Sequence, residues 1–106
     1  MNSAERGYII SILSNYITYK DILLKNKSKK SKYLTVIKKR VKAVEDTLKT
    51  AEELYQNFFK YRYIKREPFL TVCNKIYVSQ SFGYKIQKYF IDNVATKIGF
   101  VENEVR

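Results

Sequence analysis

A chain of 106 residues, 45% hydrophobic and 15% aromatic, can bury a core of its own and is not a disordered segment. Its net charge of +11 favours a polyanionic partner, either nucleic acid or an anionic membrane surface. With no histidine, a single cysteine (Cys73) and ten scattered carboxylates, it offers no disulfide framework, no soft-ligand metal site and no histidine-based catalytic centre.

The lone cysteine fits a reducing compartment, so a cytoplasmic location is expected. The most hydrophobic early stretch, residues 8–24, is interrupted by Ser11, Ser14, Asn15, Thr18, Lys20 and Asp21. It reads as a helix of a soluble protein and not as a leader or a membrane span. The adjacent acids Glu45–Asp46 and Glu52–Glu53 read as a solvated helix face, and no glycine-rich phosphate loop is present. No enzymatic activity, cofactor or metal is expected.

The first predicted helix covers residues 3–26. Ser3 is placed to cap it and Glu5 lies in its first turn, where the helix dipole favours an acid. Ile9, Leu13, Tyr16, Ile17, Leu23 and Leu24 form a broad apolar face. The stretch KNKSKKSK that follows holds five lysines and two serines and no apolar residue, which marks a solvated turn. Ser31 is the expected N-cap of the next helix.

From there Leu34, Ile37, Val41, Val44, Leu48, Ala51, Tyr55 and Phe58 recur at spacings of 3-4-3-4-3-4-3. No glycine or proline interrupts this a/d seam. It predicts one helix over residues 31–63, roughly 45–50 Å long at 1.5 Å per residue. The seam can pack against the first helix as a hairpin. It can also meet a second copy, so Leu34, Ile37, Val41, Val44, Leu48 and Ala51 are the candidate dimer or partner interface. Basic residues are dense over 25–42, where Lys38, Lys39, Arg40 and Lys42 form either a second phosphate-binding surface, a contact for an acidic protein, or a solvated face.

Lys65-Arg66-Glu67-Pro68 breaks the pattern, and Pro68 suits the start of a new helix. A short helix follows over residues 68–76, with Phe69, Val72, Cys73 and Ile76 on one face. Tyr77-Val78 is a tight turn, and Ser79 caps a longer helix that stops near Gly99. The tail FVENEVR is expected to fray.

Two helices joined by a short turn, the second capped by serine, outline a helix-turn-helix. Cys73 falls where the first helix needs a small residue. Gly83, an unfavourable residue inside a helix, falls where the second helix crosses the first. Ile86, Phe90, Val94 and Ile98 continue the buried stripe. Tyr77 stands at a turn position often held by glycine. With that face inward, Gln80, Ser81, Tyr84, Lys85 and Lys88 project outward, with Phe82 beside them. Gln80 suits adenine, Lys85 guanine, Phe82 a thymine methyl, and Ser79 a phosphate oxygen. Lys60, Arg62, Lys65 and Arg66 are placed to hold the DNA backbone.

The run LYQNFFKYRYIKREPFLTVCNKIYVSQSFGYKIQKYFIDNVATKIGF resembles the C-terminal DNA-binding part of phage late-transcription regulators of the ArpU/RinA/LtrC type. Their helix-turn-helix is similar to region four of sigma factors. The shared features are the aromatic-rich approach, the serine opening VSQSFGYKIQKYF, the trio Gly83, Tyr84, Lys85, and the ending Ala95 to Gly99. The resemblance covers about the last half of the chain. Phe82 departs from the small polar residue expected there.

The resemblance implies a transcriptional activator of late genes in a phage or mobile element, working in a bacterial host cell with RNA polymerase, its long helical N-terminal part supplying dimerisation or polymerase contact; a homodimer is expected. The resulting expectation is an all-α fold: a coiled-coil-like hairpin over residues 1–63 for dimerisation or partner binding, then a helix-turn-helix region over 64–106. The partners are double-stranded DNA and RNA polymerase, with no membrane. Competing readings are a helical interaction module that never touches DNA, a small terminase-like packaging subunit, and a nonspecific architectural binder.

Overall fold

In the computed structural model, which describes residues 1–99, six α-helices and one π-helical turn account for the regular structure. The all-helical expectation holds. The expected fraying of the tail concerns residues outside the described range.

The first predicted helix is present as two. α1 (Ser3–Ser14) starts one residue earlier than expected: Asn2, not Ser3, is the cap. Asn2 Oδ1 accepts from the Glu5 backbone N–H at 2.8 Å, and the Glu5 carboxylate accepts from the Asn2 N–H at 3.0 Å. Asn15 separates α1 from α2 (Tyr16–Lys25). Its side-chain amide donates to the Ser11 carbonyl at 2.8 Å, a local bond of the kind that competes with the helical ladder.

α3 (Lys32–Thr50) begins at the expected cap, with the Ser31 hydroxyl accepting from the Leu34 N–H at 3.1 Å. The expected 31–63 helix is corrected here. α3 is 19 residues long and stops at Ala51, which is extended (ψ 146°). The Gln56 amide donates to the Leu48 and Ala51 carbonyls at 2.9 and 3.2 Å, satisfying acceptors that the helix end leaves open. Glu52 and Glu53, read from sequence as a charged face, stand at the start of α4 (Glu53–Phe59), where the dipole favours acids. The chain folds back there, and Phe58 and Phe59 enter the core.

The seam is consequently spent within one chain. Leu34, Ile37, Val41 and Val44 are buried, and Leu48 and Ala51 pack on the same cluster, with α3 lying against α2 and α6. The dimer interface expected at these residues is corrected on the same ground: a second copy would have to displace the chain's own core. Tyr16 reinforces the α2–α3 contact by donating to Glu45 at 2.7 Å, and Lys20 pairs with the same carboxylate at 2.9 Å. Replacing Ile37 by alanine should cost about 2–5 kcal/mol. The resulting melting temperature should not depend on protein concentration; a concentration-dependent value would return the seam to an intermolecular role.

A π-helical turn, Lys60–Ile64, extends α4, with the Lys65 N–H donating to the Lys60 carbonyl five residues back at 2.9 Å. Pro68 then caps α5 (Phe69–Lys75), and Ser79 caps α6 (Gln80–Ile98) through a 3.1 Å bond from the Phe82 N–H. Gly99 ends α6 in the left-handed region (φ 104°). α6 packs on α3, α1 and α5. Among the described residues a single apolar cluster contains Ile9, Ile37 and Val44 together with Val72, Ile86 and Phe90, so the core spans the expected boundary between residues 63 and 64.

Candidate nucleic-acid interface

The crossing of α5 and α6 is set by two small residues. Gly83 is buried, and a Cβ built on it would stand 2.5 Å from Cys73 Sγ and 2.9 Å from Phe69 Cζ. A side chain there would force Cys73 or Phe69 to move, so glycine's intrinsic helix cost accompanies the close approach. Between the helices Ile76 is buried and Val78 half-buried, with the Val78 N–H donating to the Cys73 carbonyl at 3.0 Å.

Tyr77 adopts φ 61°, a left-handed conformation, and is 93% exposed. A non-glycine residue there costs about 1–2 kcal/mol, against about 0.5–1 kcal/mol of extra unfolded-state entropy for glycine. Tyr77→Gly should therefore raise the melting temperature by a few degrees. A lower melting temperature would mean that the ring makes contacts that outweigh its backbone strain.

With Gly83, Ile86, Phe90 and Val94 inward, Gln80, Ser81, Tyr84, Lys85 and Lys88 are all exposed on the opposite side of α6. Tyr84 is 56% exposed and stacks on Phe69 of α5, with ring centroids 4.3 Å apart and planes at 21°. That stack was not foreseen, and it holds the Tyr84 ring at the helix surface. Lys88 pairs with Asp92 one turn on, an exposed bond of small worth. Ser79 remains exposed, its hydroxyl oxygen engaged as the cap.

Phe82 is corrected. It is half-buried, its ring edge-on to Tyr55 at 6.3 Å, beside the Tyr55–Tyr89 pair at 5.0 Å. At about 100° per residue it falls on the flank shared with Tyr89, away from Gln80 and Tyr84. The thymine-methyl role assigned to it has no support in this placement.

The four basic residues before α5 divide into two groups. Lys60 and Lys65 gather with Lys75 around the Tyr61 ring, their Nζ atoms 5.9, 5.5 and 5.0 Å from its centroid. Lys75 is also paired with Glu67 at 2.8 Å. Arg62 and Arg66 instead line a cavity beside Gln87 of α6. Sequence reasoning missed Lys75 and Tyr61 because their proximity depends on how α5 turns back over the π-helical turn. In the 25–42 region, Arg40 lies against Tyr8 and Tyr19, 5.1 and 5.7 Å from their ring centroids, and Lys42 pairs with Asp46 at 2.8 Å. Lys38 and Lys39 are left as exposed basic residues on α3.

Among the described residues no group of carboxylates and cysteine could hold a metal ion, and no helix is long and apolar enough to cross a membrane. Compared with protein-family models, curated proteins and solved structures, the chain shows no significant match to any.

Proposed function

We propose that the protein is a sequence-specific DNA-binding transcription regulator in which α5, the Tyr77 turn and α6 act as a helix-turn-helix. The observation that carries this reading is the close crossing at Gly83 and Cys73, with the polar and basic side of α6 left to solvent. A helix so presented, with Gln80, Ser81, Tyr84, Lys85 and Lys88 toward its N-terminal half, suits entry into a major groove. The lysines around Tyr61 suit phosphate contacts that fix register, which carry no sequence information of their own. Late-gene activation in a phage or mobile element, in a bacterial cytoplasm and together with RNA polymerase, is the setting that the resemblance to ArpU/RinA/LtrC-type regulators proposes. The exposed Lys38 and Lys39 of α3 would then serve an acidic surface of the polymerase.

The test is a gel-shift titration with a promoter from the protein's own genetic element and a scrambled duplex, at two salt concentrations. The regulator should keep its preference as salt rises, whereas nonspecific binding falls steeply on both duplexes. No saturable shift on either duplex would favour the interaction module.

A further inference from the structure

One cavity is not accounted for by the outward side of α6. It measures about 310 Å³ and is lined by Ile10 and Ser14 of α1, Asn15 at the α1–α2 joint, Arg62 and Tyr63 of the π-helical turn, Arg66, and Gln87 of α6. That volume is near the lower end for sites holding small molecules, about 300 Å³. No carboxylate lines it, whereas two guanidinium groups do.

Each arginine is anchored through one nitrogen. Arg62 Nη1 donates to the Glu67 carbonyl at 3.0 Å, and Arg66 Nη2 to the Ser14 carbonyl at 3.1 Å. The rest of each planar fork is left for an acceptor. Arg62 Nε and the Tyr63 hydroxyl, themselves buried and without a hydrogen-bond partner, show that this corner of the molecule is short of acceptors. Arg66 holds its place at φ 57°, in the left-handed region, which a side-chain-bearing residue adopts at a cost. Positive charge, unused guanidinium N–H groups and the absence of any acid from the lining together describe a receptor for a compact oxyanion with several acceptor oxygens.

We propose that this cavity binds a phosphate group, held between the Arg62 and Arg66 guanidiniums with the Gln87 amide as a further partner. Guanidinium forks match phosphate oxygens two at a time, which an ammonium does not. The proposal does not depend on α6 reading DNA. The phosphate can come from a free phosphorylated molecule or from a nucleic-acid backbone, and the two sources predict different behaviour of the same variants.

The test titrates the full-length protein with inorganic phosphate in a calorimeter, at ionic strength matched with chloride. Phosphate stabilises many proteins simply by being excluded from their surfaces. The deciding readout is therefore saturable heat and its dependence on Arg62 and Arg66. A dissociation constant on the order of 1 mM is expected for so small a ligand. Arg66→Gln should weaken it about tenfold or more. Arg62→Lys keeps the charge and removes the fork, and should weaken binding even if Arg62→Gln fails to fold.

If the phosphate is supplied by a DNA backbone, Arg66→Gln should also weaken promoter and scrambled duplexes alike and reduce the salt slope by about one. If it is supplied by a free molecule, duplex affinity should be unchanged while phosphate binding is lost. Absence of saturable binding by the wild-type protein, or undiminished binding by both Arg66→Gln and Arg62→Lys, overturns the proposal.

Discussion

Gly83→Leu is expected to lower the melting temperature by at least about 12 °C, corresponding to roughly 3 kcal/mol or more of lost stability. The reason is steric. The first added carbon alone would lie 2.5 Å from Cys73 Sγ and 2.9 Å from the Phe69 ring, and an isobutyl group has nowhere to go unless α5 and α6 separate. Gly83→Ala discriminates more finely, because two effects of opposite sign compete. Helix propensity favours alanine by about 1 kcal/mol, whereas overpacking costs about 1–3 kcal/mol, so a net loss is expected. Cys73→Ala removes the sulfur from the nearer contact. Gly83→Ala should then be better tolerated in that background, with a coupling of about 1 kcal/mol in the double-mutant cycle. Thermal unfolding followed by circular dichroism gives all four values. An alanine variant as stable as the parent would refute the close-crossing account.

Lys85→Ala should reduce affinity for the preferred promoter by roughly 5- to 150-fold, the worth of about 1–3 kcal/mol for a base contact, with a much smaller effect on a scrambled duplex. Lys85 is exposed and engages no core residue, so the far-ultraviolet spectrum and melting temperature should not change. Tyr84 needs a different substitution. Its ring stacks on Phe69, so alanine would remove packing along with any DNA contact. Tyr84→Phe keeps the stack and deletes only the hydroxyl, which separates the two roles. An unaltered promoter preference in both variants would move the reading surface away from this side of α6.

Local chemistry was legible at several helix ends, though not at the start of α1, where Asn2 caps in place of Ser3. Ser31 and Ser79 cap as expected, Pro68 stands at a helix start, and Gly99 closes α6 at positive φ. The oddness of tyrosine at position 77 was legible for the same reason, since a turn of that length asks for a left-handed residue there and Tyr77 provides one at φ 61°. Gly83 was legible through its cost: a glycine with no turn to make inside a helix implies a close neighbour, and Cys73 is that neighbour.

The amino-acid sequence by itself determined an all-helical chain, the start of α3, both ends of α5 and α6, and which side of α6 faces inward, because caps and apolar periodicity are properties of segments. Only the tertiary structure decided that the 31–63 seam folds back at Ala51. A 3-4 spacing continues equally well through a straight helix or two packed ones, and the break is sealed by Gln56, four residues past the extended Glu52, with no glycine or proline to announce it. Only the tertiary structure turned Phe82 toward Tyr55, and only it divided Lys60 and Lys65 at the Tyr61 ring from Arg62 and Arg66 at the cavity. Those outcomes depend on which distant surfaces meet, and proximity between residues far apart in the chain is not carried by the spacing of either.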